Sequence, residues 1–538
     1  MKSLQPARYN GILLPLLFSL LGGTVIFYGT QWGPWVFSDS VEYIEVARNL
    51  LAGFGLVLMR PGGEFVPLTF RPPLYSMTLA AAGKVGMDIL VAARWLDVVL
   101  FAILIFTVGY FIYLWSKNVS LTLALLIFTL VSPTLLRNYT GAMSEGLFFT
   151  LGTLGLFLLV HYFRERRKRF LLIAGFLLGL TWLDRYSGIV YIATGALAIL
   201  IWAQAGFKQR VSEVLLFIIP ALLPFLTWSA TVYSAGGSPG TYEFSLQNLW
   251  AMFEPVRRGI AEVFWTWLPF QFSIAYQYKL IVISFIAILF FMLVVYVFRH
   301  GRSTDPTDFW HDPIFQSASL FLLFSIIYIA FLIATFIVVA FPKPAFNERV
   351  LSPLQLSLFL SLLLYIQLAV KDMKRWTWVV YVLPLMIVGS LSIRYIPRSV
   401  ELVQNLHQYG AGYTSKVWQD SRLLDALRQL PNDLPLITND HAAVVFFVNR
   451  PAYEIAEFTN GVPYRESPPF GYNTDDSTEL VFRERGAALI LFNSAYKIFS
   501  DSDARKAQKR WNALTSGLYE YHKSRDGVIY FFDKQAAP

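Results

Sequence analysis

The sequence predicts an all-α polytopic membrane protein that ends in a soluble α/β domain, and three observations carry that expectation. Of 538 residues, 56% are hydrophobic and only 15% charged, which excludes a disordered chain and a wholly water-soluble enzyme. Long apolar runs recur as far as about Ile393. From about Arg398 the pattern changes to amphipathic and alternating segments punctuated by Pro and Gly.

A hydrocarbon core about 30 Å thick takes roughly 20 residues of helix. Apolar runs of that order extend from Ile12 to Tyr28, Leu90 to Trp115, Leu121 to Leu136 and beyond, Leu147 to Tyr162, Phe170 to Leu183 and Ile189 to Trp202. Further runs are Val214 to Tyr233, Leu280 to Phe298, Leu320 to Phe341, Leu351 to Val370 and Trp376 to Ile393. The expected count is about eleven spans, within a range of roughly 11 to 13. The first run is flanked by Lys2 and Arg8, like a signal peptide, but its length and the lack of a small-residue cleavage site make it a retained helix.

Charge gives the orientation. Residues 395–538 hold 16 basic and 17 acidic side chains, which leaves 28 basic against 18 acidic in the apolar part. Lys117, the cluster Arg164, Arg166, Arg167, Lys168 and Arg169, then Lys208 and Arg210, Arg299 and Arg302, and Lys371, Lys374 and Arg375 fall in alternate loops, which are read as cytoplasmic. Basic residues beside apolar runs orient a membrane protein and imply no nucleic-acid partner. The other side, periplasm or exterior in a bacterium, receives residues 31–89, the loop near Arg137 to Glu145, a break at Asp184 and Arg185, the stretch from Ala235 to Gln277, the loop from Pro342 to Arg349, and the tail. The expected domains are a membrane part over 1–395, with the loop 31–89, and an external α/β domain over 396–538.

The tail domain is read from helical patterns at Trp418 to Leu430 and Ser502 to Leu514 and from strand-like runs at Leu436 to Thr438, Ala488 to Phe492 and Val528 to Phe532. Pro431, Pro435, Pro451, Pro463, Pro468 and Pro469 mark its turns. There is no Cys, which removes disulfides, thiolate metal sites and a cysteine nucleophile. The six His residues show no metal-ligand spacing, and His441 beside Asp440 reads as structural. No Walker or dinucleotide-binding glycine loop is present, so ATP and NAD chemistry have no support.

Chemistry concentrates in the external loops. In Phe37-Ser-Asp-Ser-Val-Glu-Tyr-Ile-Glu-Val-Ala-Arg-Asn-Leu, helical spacing puts Val41, Ile44 and Leu51 on one face and Glu42, Glu45 and Asn49 on another, the pattern of a helix at a membrane surface. Asp39 at its start is read in two ways: as an N-cap with Glu42 completing a box, or as a boundary carboxylate able to take a proton or hold a metal. Phe70-Arg-Pro-Pro-Leu-Tyr75 follows, where two prolines force Arg71 out of helical geometry and present its guanidinium, to phosphate or to lipid headgroups. Ser144-Glu145 opens an apolar run, as a dipole-favoured acid or a functional boundary carboxylate. Gly175 to Gly188 contains Asp184-Arg185 at an external break, where the two side chains can pair or Arg185 can hold phosphate. Asn347-Glu-Arg-Val-Leu-Ser-Pro-Leu354 opens a late span and offers Arg349, as a snorkelling side chain or a phosphate ligand. The segment with Tyr242, Glu243, Glu254, Arg257 and Arg258 is a lid candidate or an interfacial connector.

The order of these motifs over residues 10 to 395 resembles the GT-C glycosyltransferases that use lipid-carrier-linked sugars, in particular the branch of protein O-mannosyltransferases and bacterial aminoarabinose lipid A transferases. Asp39-Ser-Val-Glu-Tyr43 matches the acidic site of that branch's first external loop, although many members have Asp-Glu where this chain has Asp39-Ser40. Arg71-Pro-Pro-Leu74 resembles its basic-Pro-Pro-Leu motif, Glu145 its second external acid, and Arg349 the Arg of its Arg-Tyr-x-x-Pro pattern, with Val350 in place of the aromatic residue. The tail from Gly410 to Asn439 looks like the external domain of some bacterial members.

The resemblance implies a sugar transferred from a polyprenyl phosphate donor to a lipid, glycan or protein acceptor at the external face of the inner membrane. Asp39 would be the general base, Arg71, Arg185 and Arg349 would hold the donor phosphate, and Glu145 and Glu42 would assist acceptor or metal binding. A divalent cation stays open as cofactor, and the partners are the bilayer, the donor and the acceptor. The acid and the guanidinium groups are expected to meet in one pocket at the outer leaflet. The alternatives are a lipid-linked sugar transporter or flippase and a non-catalytic GT-C relative that acts as an assembly partner.

Overall fold

The computed structural model describes residues 7–538 except 61–62, 205, 238–242, 245–248, 270–271, 305, 342–345, 372–376, 455–481, 483–485, 494–511, 513–514 and 536. The chain divides into two compact units, residues 1–31, 94–234 and 242–408 in the first and 32–93, 235–241 and 409–538 in the second. Residues 32–93, which follow the first apolar helix, therefore group with the tail.

The first unit is helical apart from the short antiparallel pair Glu243–Phe244 and Val339–Phe341. Among the described residues, eight helices are long and apolar enough to cross a membrane, and a ninth span results if Val119–Val131 and Pro133–Tyr139, bent by 57°, are taken together. The other two of the eleven expected runs are the shorter helices Lys168–Asp184 and Ile189–Trp202, which have 17 and 14 residues against the roughly 20 a bilayer needs. These two short helices meet at Arg185, whose extended backbone (φ −147°, ψ 139°) ends the first of them. Helices pack closely where glycine removes a side chain. A Cβ at Gly179 would lie 2.2 Å from the Ala221 carbonyl oxygen, so only glycine lets Phe207–Ser234 approach this near.

The bend of 57° has a local cause. Pro133 cannot donate to the helix before it, and Ser132 caps the next turn by accepting from the Leu135 amide at 3.4 Å. Ser132 also donates to Gln355 at 3.0 Å, and Gln355 donates to the Tyr395 hydroxyl at 2.9 Å. These buried bonds tie the bend to the spans that contain Gln355 and Tyr395, Glu348–Lys371 and Thr377–Tyr409.

The second unit begins with a short helix, Ser38–Leu51, called here the acidic helix, followed by the hairpin Val57–Met59 and Phe65–Pro67 and the helix Leu74–Lys84. The tail contributes a five-stranded sheet in the order Tyr453–Glu454, Leu436–Thr438, Ala488–Phe492, Gly527–Phe531, Tyr519–Ser524, parallel across the first three and antiparallel across the rest. Alternation sorts its side chains: Ala488, Ile490 and Phe492 pack with Leu423, Leu427 and Val444, whereas Leu489 and Leu491 pack on the other face with Phe482 and Val528.

The three strand expectations hold, the last as Gly527–Phe531. The helix expected over Trp418 to Leu430 is instead two, Lys416–Gln419 and Arg422–Gln429. Ser421 interrupts it because its hydroxyl accepts from the Leu424 amide at 3.2 Å and donates to Asp526, which favours a fresh N-terminus over a continuous helix. Almost all of Ser502 to Leu514, and Pro463, Pro468 and Pro469, lie outside the described residues.

Candidate functional site

Two charge clusters contain the predicted site residues, one in each unit. In the second unit, Arg71 lies between two carboxylates of the acidic helix. Its Nη2 donates to Asp39 Oδ1 at 2.8 Å and its Nε to Glu42 Oε2 at 2.5 Å, with the three side chains 18–27% exposed. Asp39 and Glu42 are three residues apart and so share a face, which is why one planar guanidinium spans both. Phe70 and Tyr43 flank the cation, with ring centres 5.3 and 5.6 Å from its Cζ.

Asp39 is not the N-cap. Phe37 occupies that position, and its amide donates to the Ser40 hydroxyl at 3.3 Å. Ser40, where many GT-C members carry an acid, is fully buried and spent on this cap. The acidic helix also differs from a surface helix, since Glu45 and Asn49 on its polar face are 4% and 3% exposed. The hairpin covers them: the Met59 amide donates to Glu45 Oε1 at 2.6 Å, and Asn49 Nδ2 donates to the Val57 carbonyl at 2.9 Å. Burial pushes the Glu45 carboxyl up to about 7. Burial also raises Glu42, partly offset by Arg71 and, to a smaller extent, by His441. Arg71 is driven well above its usual value by Glu42, Tyr43 and Asp39, which outweigh its own desolvation.

In the first unit the stoichiometry is reversed. Glu145, 3% exposed in its side chain, opens the helix Glu145–Glu165, and its Oε1 accepts from Arg185 Nη1 at 2.7 Å and from Arg349 Nε. Arg185 Nη1 also donates to the Ser144 hydroxyl at 3.0 Å. Three separate motifs, Ser144-Glu145, Asp184-Arg185 and Asn347-Glu-Arg349, therefore meet. The Asp184–Arg185 pairing offered by adjacency does not form; the extended backbone at Arg185 carries its guanidinium to Glu145. The end of the Arg349 helix is fixed by the bent span, through Thr134 donating to Glu348. The lid candidate abuts it as well: Leu249–Trp267 passes so near Phe346 that a Cβ at Gly259 would lie 2.9 Å from the Phe346 carbonyl oxygen. Tyr242 and the Glu243 side chain fall outside the described residues, while Arg258 lies over the Tyr276 ring at 5.2 Å and Arg257 is 4.0 Å from Glu254.

Sequence reading missed Asp97. It lies inside the span Ile89–Ser116, fully buried, and its Oδ1 would be 3.5 Å from a Cβ on Gly146, next to Glu145. Asp184 is equally buried, and neither carboxyl has a hydrogen-bond partner among the described residues. The available signal was an ionisable residue within an apolar run, a mark of function in membrane proteins.

Among the described residues no group of three or more His, Asp or Glu side chains stands ready for a metal ion. The acidic helix does not fit the divalent cation its family likeness leaves open. Arg71 already supplies the positive charge between Asp39 and Glu42, and Ser40 is buried in a cap.

Most of the chain aligns with solved structures of two transferases. ArnT from Cupriavidus metallidurans bound to undecaprenyl phosphate matches over 97% of this chain and 98% of its own, with a TM-score of 0.54 and 12% identity. The oligosaccharyltransferase of Archaeoglobus fulgidus in complex with Zn and sulfate matches over 97% of this chain and 74% of its own, with a TM-score of 0.50 and 13% identity. The fold is of the GT-C type. At such identities the likeness is one of fold. No family model matches the chain, and neither does any curated protein. Eight to nine candidate spans among the described residues make this a multi-pass membrane protein.

Proposed function

We propose that the chain is an inverting GT-C glycosyltransferase of the bacterial inner membrane that moves a sugar from a polyprenyl phosphate donor to a lipid, glycan or protein acceptor. The N-terminus is cytoplasmic, and the loop 31–89 and the tail are external, as the basic loops require. The single observation that carries this reading is the cluster in which one boundary carboxylate, Glu145, gathers two guanidinium groups from separate segments. Its surplus positive charge suits a phosphate at the end of a lipid, and the GT-C fold of a structure that binds undecaprenyl phosphate supports the same ligand class here.

In the proposed reaction Asp39 takes the proton of the acceptor hydroxyl or amine as that atom bonds to the anomeric carbon. The bond from this carbon to the carrier phosphate breaks, and its electron pair leaves on the phosphate, which Arg185 and Arg349 stabilise. Arg71 orients Asp39 and, having five N–H donors of which the two bonds above use two, retains donors for phosphate. Glu145 holds the two arginines in place, and Glu42 does the same for Arg71. The energy is already in the phosphate ester, so base, cation and positioning suffice.

Full-length protein reconstituted in lipid with radiolabelled polyprenyl phosphate sugars and cell-envelope acceptors tests the proposal. Label should move to an acceptor in a time-dependent way. Label that crosses the membrane with its glycosidic bond intact would establish a transporter instead, and label that does neither would leave the assembly-partner reading.

A further inference from the structure

An aromatic column joins the two arginine-bearing segments of the Glu145 cluster. At one end the Arg185 guanidinium lies 6.0 Å from the ring centre of Phe148, on the helix Glu145–Glu165. Phe148 meets Tyr191 of Ile189–Trp202 edge on at 5.1 Å, and Tyr191 stacks on Phe324 of Pro313–Val338 at 4.2 Å. The Tyr191 ring occupies the place a Cβ of residue 152 would take, so Gly152 lets it lie against the Glu145 helix. One helical turn after Phe324, Tyr328 continues the stack at 5.4 Å. Its hydroxyl leaves the column and donates to the Val350 carbonyl at 2.9 Å. Tyr328 is 3% exposed, so that bond is shielded from water. Val350 follows Arg349 in a turn whose own ladder is broken. Pro353 has no N–H for the Arg349 carbonyl four residues before it, and the Ser352 hydroxyl donates to that carbonyl at 2.5 Å instead. The Val350 amide donates to Asn347 Oδ1 at 3.0 Å.

We propose that Tyr328 is a positioning residue of the donor site, holding the turn that carries Arg349 so that its guanidinium and that of Arg185 reach one phosphate. The proposal rests on the reading of Arg349 as a phosphate ligand. The two guanidinium groups meet on a single oxygen, Glu145 Oε1, which fixes their heads. The column and its terminal hydroxyl fix the backbone behind Arg349. A guanidinium is a planar fork whose donors point in set directions, so a small rotation of its turn carries them past the phosphate oxygens. Pro353 makes such a rotation easy by removing a ladder bond, and Val350 has no polar side chain to resist it. The Tyr328 hydroxyl resists it from a neighbouring span. Stacked rings in a packed interior give that hydroxyl a fixed origin.

Equilibrium binding of undecaprenyl phosphate to the full-length protein in lipid, measured for wild type, Tyr328→Phe, Arg349→Ala and the double variant, tests this. Tyr328→Phe keeps the ring in the column and removes only the hydroxyl. If it folds poorly, Phe324→Leu, which keeps the hydroxyl and removes the ring it stacks on, takes its place with the same expectations. Affinity should fall about fivefold in Tyr328→Phe. The double variant should bind no more weakly than Arg349→Ala, because a residue that acts through another has no effect once that other is gone. Wild-type affinity in Tyr328→Phe, or losses that multiply in the double variant, would overturn the proposal. A second readout needs no ligand. The sequence has no Cys, so Arg349→Cys carries a single thiol, and its modification by a water-soluble thiol reagent should quicken about threefold or more when Tyr328→Phe is added. An unchanged rate would overturn the positioning role. A wild type that binds no undecaprenyl phosphate would refute the phosphate reading of Arg349 and leave the positioning role to be judged by that rate.

Discussion

The two clusters are near mirror images in charge. Around Arg71 two carboxylates hold one guanidinium, and around Glu145 two guanidinium groups share one carboxylate. The first carries a surplus negative charge on side chains about a fifth to a quarter exposed, the second a surplus positive charge anchored on a carboxylate that is 3% exposed. Under the proposed function, the difference amounts to a division of labour. A group that must take a proton from a changing acceptor needs access and excess base, whereas a grip on a phosphate needs excess cation and a rigid anchor. Swapping the stoichiometry of either cluster would remove its suitability for its task.

The largest effect should come from removing the base. Asp39→Asn keeps the volume and a partner for Arg71, so the protein should purify normally while transfer falls by about 10²-fold or more. An equally active variant would break the comparison at its acidic side. Next is Glu145→Gln, which leaves two guanidinium groups beside a neutral amide. Removing one partner of a buried pair typically costs about 3 kcal/mol, so a lower unfolding temperature together with weaker donor binding is expected. Unchanged donor affinity there would mean that Glu145 does not organise the arginines. Replacing Arg349 by Ala should raise the donor KM by about tenfold with a smaller change in kcat, the signature of lost binding rather than lost chemistry.

The smallest effect sharpens the acidic side and concerns stability. Glu45 is pushed from its ordinary 4.5 to about 7 by burial. The folded state therefore binds this proton more tightly than the unfolded chain does, and the stabilisation, fully present below 4.5, is lost as pH rises through about 7. Thermal unfolding of wild type should show a falling unfolding temperature across that window, and Glu45→Gln should flatten it. Equal slopes in the two proteins would place the buried proton elsewhere.

Much of this arrangement is legible in the sequence, and what is not has particular causes. Apolar runs identify the helices because hydrophobicity is a local property, and Glu145, Arg185 and Arg349 stand out as charges at the edges of those runs. Their mutual pairing is a tertiary fact. Adjacency favours Asp184 as the partner of Arg185, yet one extended residue redirects the guanidinium. The acidic helix teaches the same lesson: spacing separates its polar and apolar faces but does not reveal that a hairpin buries Glu45 and Asn49, or that Phe446, some four hundred residues later, receives Arg48. Asp39 reads as a cap or as a boundary carboxylate until Phe37 is seen to hold the N-cap position, its amide donating to the Ser40 hydroxyl.

Equilibrium binding of a polyprenyl phosphate to Asp39→Asn and to Arg185→Ala, each in the full-length protein, tests the division between the clusters most directly. The account predicts wild-type affinity in the first and about tenfold or greater loss in the second. Comparable loss in both, or loss confined to Asp39→Asn, would contradict it.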